Sequence, residues 1–226
     1  MRNAWLFSLL LLPAVASSQT TIYSNDFESG VAGAQFSGSG TVQTTGGLSA
    51  FGFGANHLRN DVATATILSL AGIGTHSSMT LNFSLAMWDS IDWPTDLFVV
   101  RADGVDLFNG SFGNYFAPGD ACVGPGTQLT PAFTDFNNPN YGYNPNHDCA
   151  RAVSFTFAHS ASTVAFSWAY PNTQTGIDES FGIDNVVVQI PTVGTPPVNT
   201  VPEPGTYAMM GAGLAGLFLA RRRRRA

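Results

Sequence analysis

The residues best suited to chemistry in this chain are its acids. Between two apolar, alternating runs lies Asp89-Ser90-Ile91-Asp92-Trp93-Pro94-Thr95-Asp96, with three carboxylates in one loop. A second group, Asp178, Glu179 and Asp184, is set in GIDESFGIDNVVV, and a third, Asp26 and Glu28, lies in the opening YSNDFE. Calcium takes roughly six to eight oxygens, which loop carboxylates and backbone carbonyls supply easily, so Asp89, Asp92 and Asp96 are candidate calcium ligands. The spacing is not that of an EF-hand loop, and a solvated loop closed by Asx-turns is the alternative for residues 89–96. Asp184 falls inside a strand-like run, where an unpaired carboxylate is costly. It needs a partner: a metal, Arg151, or backbone donors near Asp26 and Glu28.

Other chemistries find less support. Glu28 and Glu179 are the only glutamates before the tail, and neither stands in the Glu-x-Asp-x-x-Glu pattern of a glycosidase pair. There is no Gly-x-Ser-x-Gly elbow, no His-Glu-x-x-His and no phosphate loop. His57, His76, His147 and His159 are scattered and read as loop or strand-end residues, so no catalytic residue is expected. Trp88, Trp93, Tyr141 and Tyr143 fall in predicted loops or at strand ends, where rings can stack on sugars and offer polar tips; loop packing is the alternative. Cys122 and Cys149 suit a disulfide in an exported chain, with a metal pair beside His147 and Asp148 as the alternative. Such a bridge contributes roughly 3.5 kcal/mol in the chain-entropy picture.

The elements that must position these groups read as strands. All nine basic residues are arginines; five close the chain and Arg2 opens it, leaving Arg59, Arg101 and Arg151 against nearly all of the fifteen acids. That balance argues against a nucleic-acid partner and for a divalent cation. Strands are expected at Thr21–Asp26, Asp61–Leu70, Met79–Trp88, Leu97–Ala102, Val105–Phe108, Val153–Phe157, Thr163–Tyr170 and Phe181–Ile190, with Gly-rich turns through Gly47. Met79–Trp88 alternates, with Leu81, Phe83, Leu85 and Met87 on one face. Asp103-Gly104 is the best hairpin signal. No segment before the tail has a helical period, so the fold class is all-β, a β-sandwich over residues 19–192 followed by a linker at 193–200.

Both ends read as addresses. Residues 1–18 have the form of a signal peptide: Arg2, an apolar core from Trp5 to Leu12, and a small-residue site at Ala14-Val15-Ala16. At the other end Val201-Pro202-Glu203-Pro204 leads into an apolar helix over about residues 206–220, then Arg221, Arg222, Arg223, Arg224 and Arg225. From Tyr207 to Ala220 a helix spans roughly 21 Å, short of the roughly 30 Å hydrocarbon core. The arginines are expected to stay cytoplasmic, leaving the domain outside.

This three-part tail, residues 201–226, resembles the PEP-CTERM sorting signal. The resemblance implies recognition by an exosortase after export by signal peptidase and the general secretion machinery. It also implies an inner-membrane-anchored precursor that is then cleaved and released to the surface of a Gram-negative, exopolysaccharide-making bacterium. The opening Tyr23-Ser24-Asn25-Asp26-Phe27-Glu28 and the closing Phe181-Gly182-Ile183-Asp184-Asn185-Val186-Val187-Val188 resemble lectin-like jelly rolls and carbohydrate-binding modules. In those, a calcium often ties the first strand to the aspartate of the last, which here implies Asp26 or Glu28 with Asp184. The expected function is a non-catalytic surface or biofilm-matrix protein that binds polysaccharide with calcium. A secreted carbohydrate-active enzyme and a purely structural matrix protein are the alternatives.

Overall fold

The computed structural model describes residues 18–61, 63–88, 91–112, 122–131, 148–171, 179–192 and Arg221. Residues 1–192 and 193–226 form two separate units. The expected signal peptide (save Ser18), linker, Pro-Glu-Pro turn, apolar tail helix and Arg222 to Arg225 lie outside the described residues, as do Asp89, Asp178, Tyr141 and Tyr143. Among the described residues no helix is long and apolar enough to cross a membrane.

The first unit is built from two antiparallel sheets. One contains β1 (Gln19–Asn25), β3 (Thr41–Thr44), β4 (Asn56–Asn60), β6 (Ser78–Trp88), β9 (Thr127–Gln128), β10 (Cys149–Ala158) and β12 (Ser180–Pro191). Its order is β3-β4-β12-β6-β10-β9, with β1 also pairing β12. The other contains β2 (Phe36–Gly38), β5 (Thr66–Ala71), β7 (Leu97–Ala102), β8 (Val105–Ser111) and β11 (Thr163–Ala169), in the order β2-β5-β11-β7-β8.

Strand alternation explains why the sheets face each other. Leu81, Phe83, Leu85 and Met87 of β6 all turn inward, as do Val164, Phe166 and Trp168 of β11, and all are buried in one core. Phe83 meets Trp168 edge-on across the layers at 5.7 Å, and Phe98 of β7 meets Phe181 of β12 at 5.1 Å. These edge-to-face contacts place positive ring edges against negative ring faces and add to the area buried. The β7–β8 turn is tight because Asp103 and Gly104 both take positive φ, 50° and 80°, as a two-residue hairpin loop of this kind requires.

The structure departs from the sequence reading in three places. The expected strand from Asp61 to Leu70 is not continuous: β4 ends at Asn60 and β5 starts at Thr66. The Asn60 side chain fastens the corner between them, donating to Thr64 O at 2.8 Å and Thr66 Oγ1 at 3.0 Å. The Gly-rich stretch before Gly47 holds β2 and β3, followed by a 3-10 turn at Gly46–Phe51, all too short to show a period. Finally, the second face of β6 is also covered. Ala86 and Trp88 are buried with Leu48, Phe53 and Ala150 in a smaller cluster of their own. Trp88 is therefore not a stacking platform. Its ring packs on His57 at 4.8 Å and carries the Arg59 guanidinium at 5.9 Å.

Cys122 and Cys149 form the disulfide. Beside it Arg151 donates Nε to Pro125 O, Nη1 to Cys122 O and Nη2 to Gly126 O, at 2.6–2.8 Å. This arginine fastens the disulfide loop and is not the partner of Asp184.

Candidate cation site at a fork in the sheet

β12 changes neighbours part-way along one edge. Over Phe181–Ile183 that edge pairs with β4, and over Val186–Pro191 it pairs with β1, while β6 runs along the other edge. The register against β6 shifts between Asp184 and Val187, and Asn185 takes a positive φ of 49°. Such an irregularity bends a strand and re-aims side chains. Here it lets two strands share one edge and leaves Asp184 and Asn185 at the fork.

The polar groups of the gap converge on carboxylates. Gly54 N–H donates to Asp184 Oδ2 at 3.2 Å, and Asn185 N–H donates to Asp184 Oδ1 at 2.6 Å. Asn56 N–H donates to Glu28 Oε1 at 2.9 Å, and Glu28 N–H donates to Asp26 Oδ1 at 3.2 Å. A Cβ at Gly54 would meet the Glu28 carboxylate and push that exposed side chain aside. Asn185 Nδ2 donates to Gly52 O at 2.9 Å and ties the neighbouring loop to the fork. A cleft of about 210 Å³ opens beside it, lined by Ser24, Asn25, Asp26, Asn185, Val186 and Val187.

The electrostatics follow from this placement. Asp184 is fully buried. Burial pushes its carboxyl up to about 6, the two backbone N–H donors oppose that rise, and the charges of Glu28 and Asp26 add to it. Among the described residues no salt bridge reaches Asp26, Glu28 or Asp184. Among the described residues, the fork is thus a concentration of negative charge without a cationic side chain paired to it. Even so, among the described residues no group of three or more His, Cys, Asp or Glu stands in the close arrangement that holds a metal ion.

The other acidic loop is organised by its own backbone. Asp92 N–H donates to Asp96 Oδ2 at 2.8 Å, and Asp96 N–H donates to Asp92 O at 2.9 Å. Asp96 is turned inward and buried, and its two hydrogen bonds with the Asp92 backbone close the loop. Next to it, burial pushes the Tyr170 hydroxyl up, with the charges of Asp96 and Glu179 adding to the effect. Trp93 lies half-buried in the same loop.

Sequence reasoning brought Asp26, Glu28 and Asp184 to one place through a resemblance, and the structure places them around one gap. It missed Gly54, Asn56 and Asn185, whose N–H groups are the actual partners. A signal was present: an Asp-Asn pair inside a Val-rich run is poor strand sequence and marks an irregularity.

Comparison with known proteins adds to this geometry. Residues 200–225 match the PEP-CTERM protein-sorting motif. The tail is a sorting signal. It indicates an exported, membrane-anchored precursor that is processed by exosortase and reaches the cell surface. No curated protein matches the chain in sequence. Among solved structures, it is similar to the K1 cleaved adhesin domain of Lys-gingipain from Porphyromonas gingivalis W83. That likeness has 11% identity and a TM-score of 0.44, covering 75% of this chain and 97% of that one. The K2 domain of Lys-gingipain gives 15% identity and a TM-score of 0.42, over 74% and 96% of the two chains. The C-terminal CBM6 of LamC, a marine laminarinase from Zobellia galactanivorans, gives 12% and 0.34, over 77% and 99%.

Proposed function

We propose that this protein is a non-catalytic surface or matrix component of jelly-roll type, whose sandwich is completed by calcium at the β12 fork and which holds polysaccharide. The observation that carries the proposal is the fork. A fully buried Asp184 sits beside Glu28 and Asp26 with no cationic side chain paired to them among the described residues. Calcium suits such a place because it accepts carboxylates together with backbone carbonyls and waters, and the 210 Å³ cleft has room for those waters. An ion there would join the end of β1 to the middle of β12, adding to the ladder that already pairs them. The destination that the sorting motif gives, the cell surface, is compatible with polysaccharide as the ligand.

The test is a calcium titration of the metal-free protein followed by thermal melting, with glycan-array binding measured in calcium and in EDTA. A melting temperature that rises with calcium, with array binding lost in EDTA and no product released from the bound glycan, supports the reading. Calcium-independent melting and no glycan bound point to a purely structural matrix protein. Release of shortened sugars points to the enzyme.

A further inference from the structure

At the end of the sandwich where β12 finishes, three turns meet through their side chains. His76 lies in the connection from β5 to β6, His159 in the connection from β10 to β11, and Asp103 in the β7–β8 turn. His76 Nδ1 is 2.6 Å from Gly74 O, His76 Nε2 is 2.7 Å from His159 Nδ1, and His159 Nε2 is 3.1 Å from Asp103 Oδ2. The ring planes differ by only 17° at a centroid separation of 5.0 Å. With the facing nitrogens 2.7 Å apart, this is an in-line, edge-to-edge arrangement rather than a face-to-face stack.

A proton count decides what holds the row together. Both ends are fixed acceptors: a backbone carbonyl and a carboxylate, and the carboxylate already receives the Ala165 N–H on its other oxygen at 2.8 Å. Three gaps separate these ends, and each needs one hydrogen. Two neutral imidazoles bring one N–H apiece, so any neutral pairing of tautomers leaves two lone pairs facing each other in one gap. A third proton satisfies all three gaps. Both rings are nearly buried, with His76 at 7% exposure and the His159 side chain at 8%, while the Asp103 carboxylate is 46% exposed, so water reaches the row from that end and not readily the gap between the rings. Asp103 is the charged group bonded to the pair; Arg101, on the same hairpin, is engaged with Asp106, and Phe157 packs edge-on against His159.

We propose that His76, His159 and Asp103 form a clasp closed by one shared proton, which fastens this end of the sandwich in acid and releases it as the proton leaves. The His159–Asp103 bond joins the end of β10 in one sheet to the β7–β8 turn of the other, so the clasp holds the two layers together here, whereas the nearby backbone bonds, Ile73 N–H to Ser162 O and His159 N–H to Ser77 O, only extend the ladder of one sheet each. The same β5–β6 turn forms one wall of a groove of about 560 Å³, lined in part by Tyr23, Gln35, Ser69 and Ile73 and ending at Gly74. Opening the clasp therefore loosens both the layer junction and that wall.

Asp103→Asn gives a specific test in the full-length protein. An asparagine tolerates the positive φ of this position. Its amide supplies the missing third hydrogen to His159 Nε2, so two neutral histidines then satisfy every gap without extra charge. Histidine side-chain nitrogen NMR and melting temperature are followed from pH 5 to 8 in EDTA. The expected result is one proton taken up by the wild-type pair as a unit, with the two inner nitrogens coupled across a hydrogen bond. The melting-temperature difference between wild type and the variant should then change with pH as that proton leaves. Independent titration of the two wild-type rings, or a difference that is flat with pH, overturns the proposal. The NMR arm stands even if the variant folds poorly.

Discussion

Replacing Asp184 with asparagine tests the electrostatics of the fork most directly. The carboxyl is raised from 3.8 to about 6, and a rise of about two units corresponds to roughly 3 kcal/mol. The folded state holds its proton up to about pH 6, whereas the unfolded chain releases it near 3.8. Without calcium, the stabilisation from that proton is present below 3.8 and lost as the pH rises through 6. The asparagine has no charge to desolvate, but it offers one acceptor oxygen to the two N–H donors of Gly54 and Asn185, and leaving one donor unmet costs roughly 1–3 kcal/mol. In EDTA at pH 4 the variant should therefore melt below wild type by that hydrogen bond alone. At pH 8 the relief of roughly 3 kcal/mol offsets the loss, and the variant should equal or exceed wild type. At roughly 2–4 °C per kcal/mol, the difference in melting temperature moves by about 6–12 °C between the two pH values. Calcium should then raise the wild type at pH 8 and leave the variant unchanged. The assay is scanning calorimetry of both proteins at the two pH values, with and without calcium. A difference that does not depend on pH would show that Asp184 is not strained by its charge, and an equal calcium gain in both proteins would remove it from the ion's ligands.

Three further substitutions probe the packing beside the fork and the disulfide loop. His57 is fully buried, and burial, aided by Arg59, holds it down to about 3; its stabilisation is present above pH 6.5 and lost as the pH falls, opposite in sign to Asp184, so His57→Gln should shift the acid-unfolding midpoint, followed by circular dichroism, to lower pH. Gly182→Ala places a methyl group against the His57 and Trp88 rings and should cost roughly 1–3 kcal/mol by overpacking, read in urea unfolding with Trp fluorescence. Arg151→Met strips three carbonyls around the disulfide of their donors and should cost about 2–3 kcal/mol, since hydrogen bonds to charged groups are the stronger kind; an unchanged urea midpoint would mean that water replaces the guanidinium without loss.

The parts of the fold that were legible in the sequence are those where one strand's own pattern suffices. β6 alternates because one of its faces meets the opposite sheet, and Leu81 to Met87 show it without help from any other segment. The Asp103-Gly104 turn was legible because its φ values exclude most residues. What escaped was cover supplied from far away. Trp88 closes an alternating run and reads as a strand-end ring, but the 3-10 turn at Gly46–Phe51 buries it, and nothing near Trp88 announces Leu48. β2, β3 and β4 escaped for a related reason, being three to five residues long and stabilised by their neighbours.

The two functional constellations show the same limit more sharply. His76 and His159 lie 83 positions apart and meet only because β6 and β10 pair along their whole length, Ala158 opposite Ser78. That register carries His76, two residues before β6, and His159, the residue after β10, to the same corner. Asp184 and Gly54, 130 positions apart, meet because β4 and β1 divide one edge of β12 between them. In both cases the chemistry belongs to the pairing register rather than to a local motif, and a register is decided by the sum of many side chains facing a shared core. The acid composition of the domain therefore announces that negative charge must be managed. Where it is managed follows from the bend at Asp184-Asn185 that lets two strands share one partner.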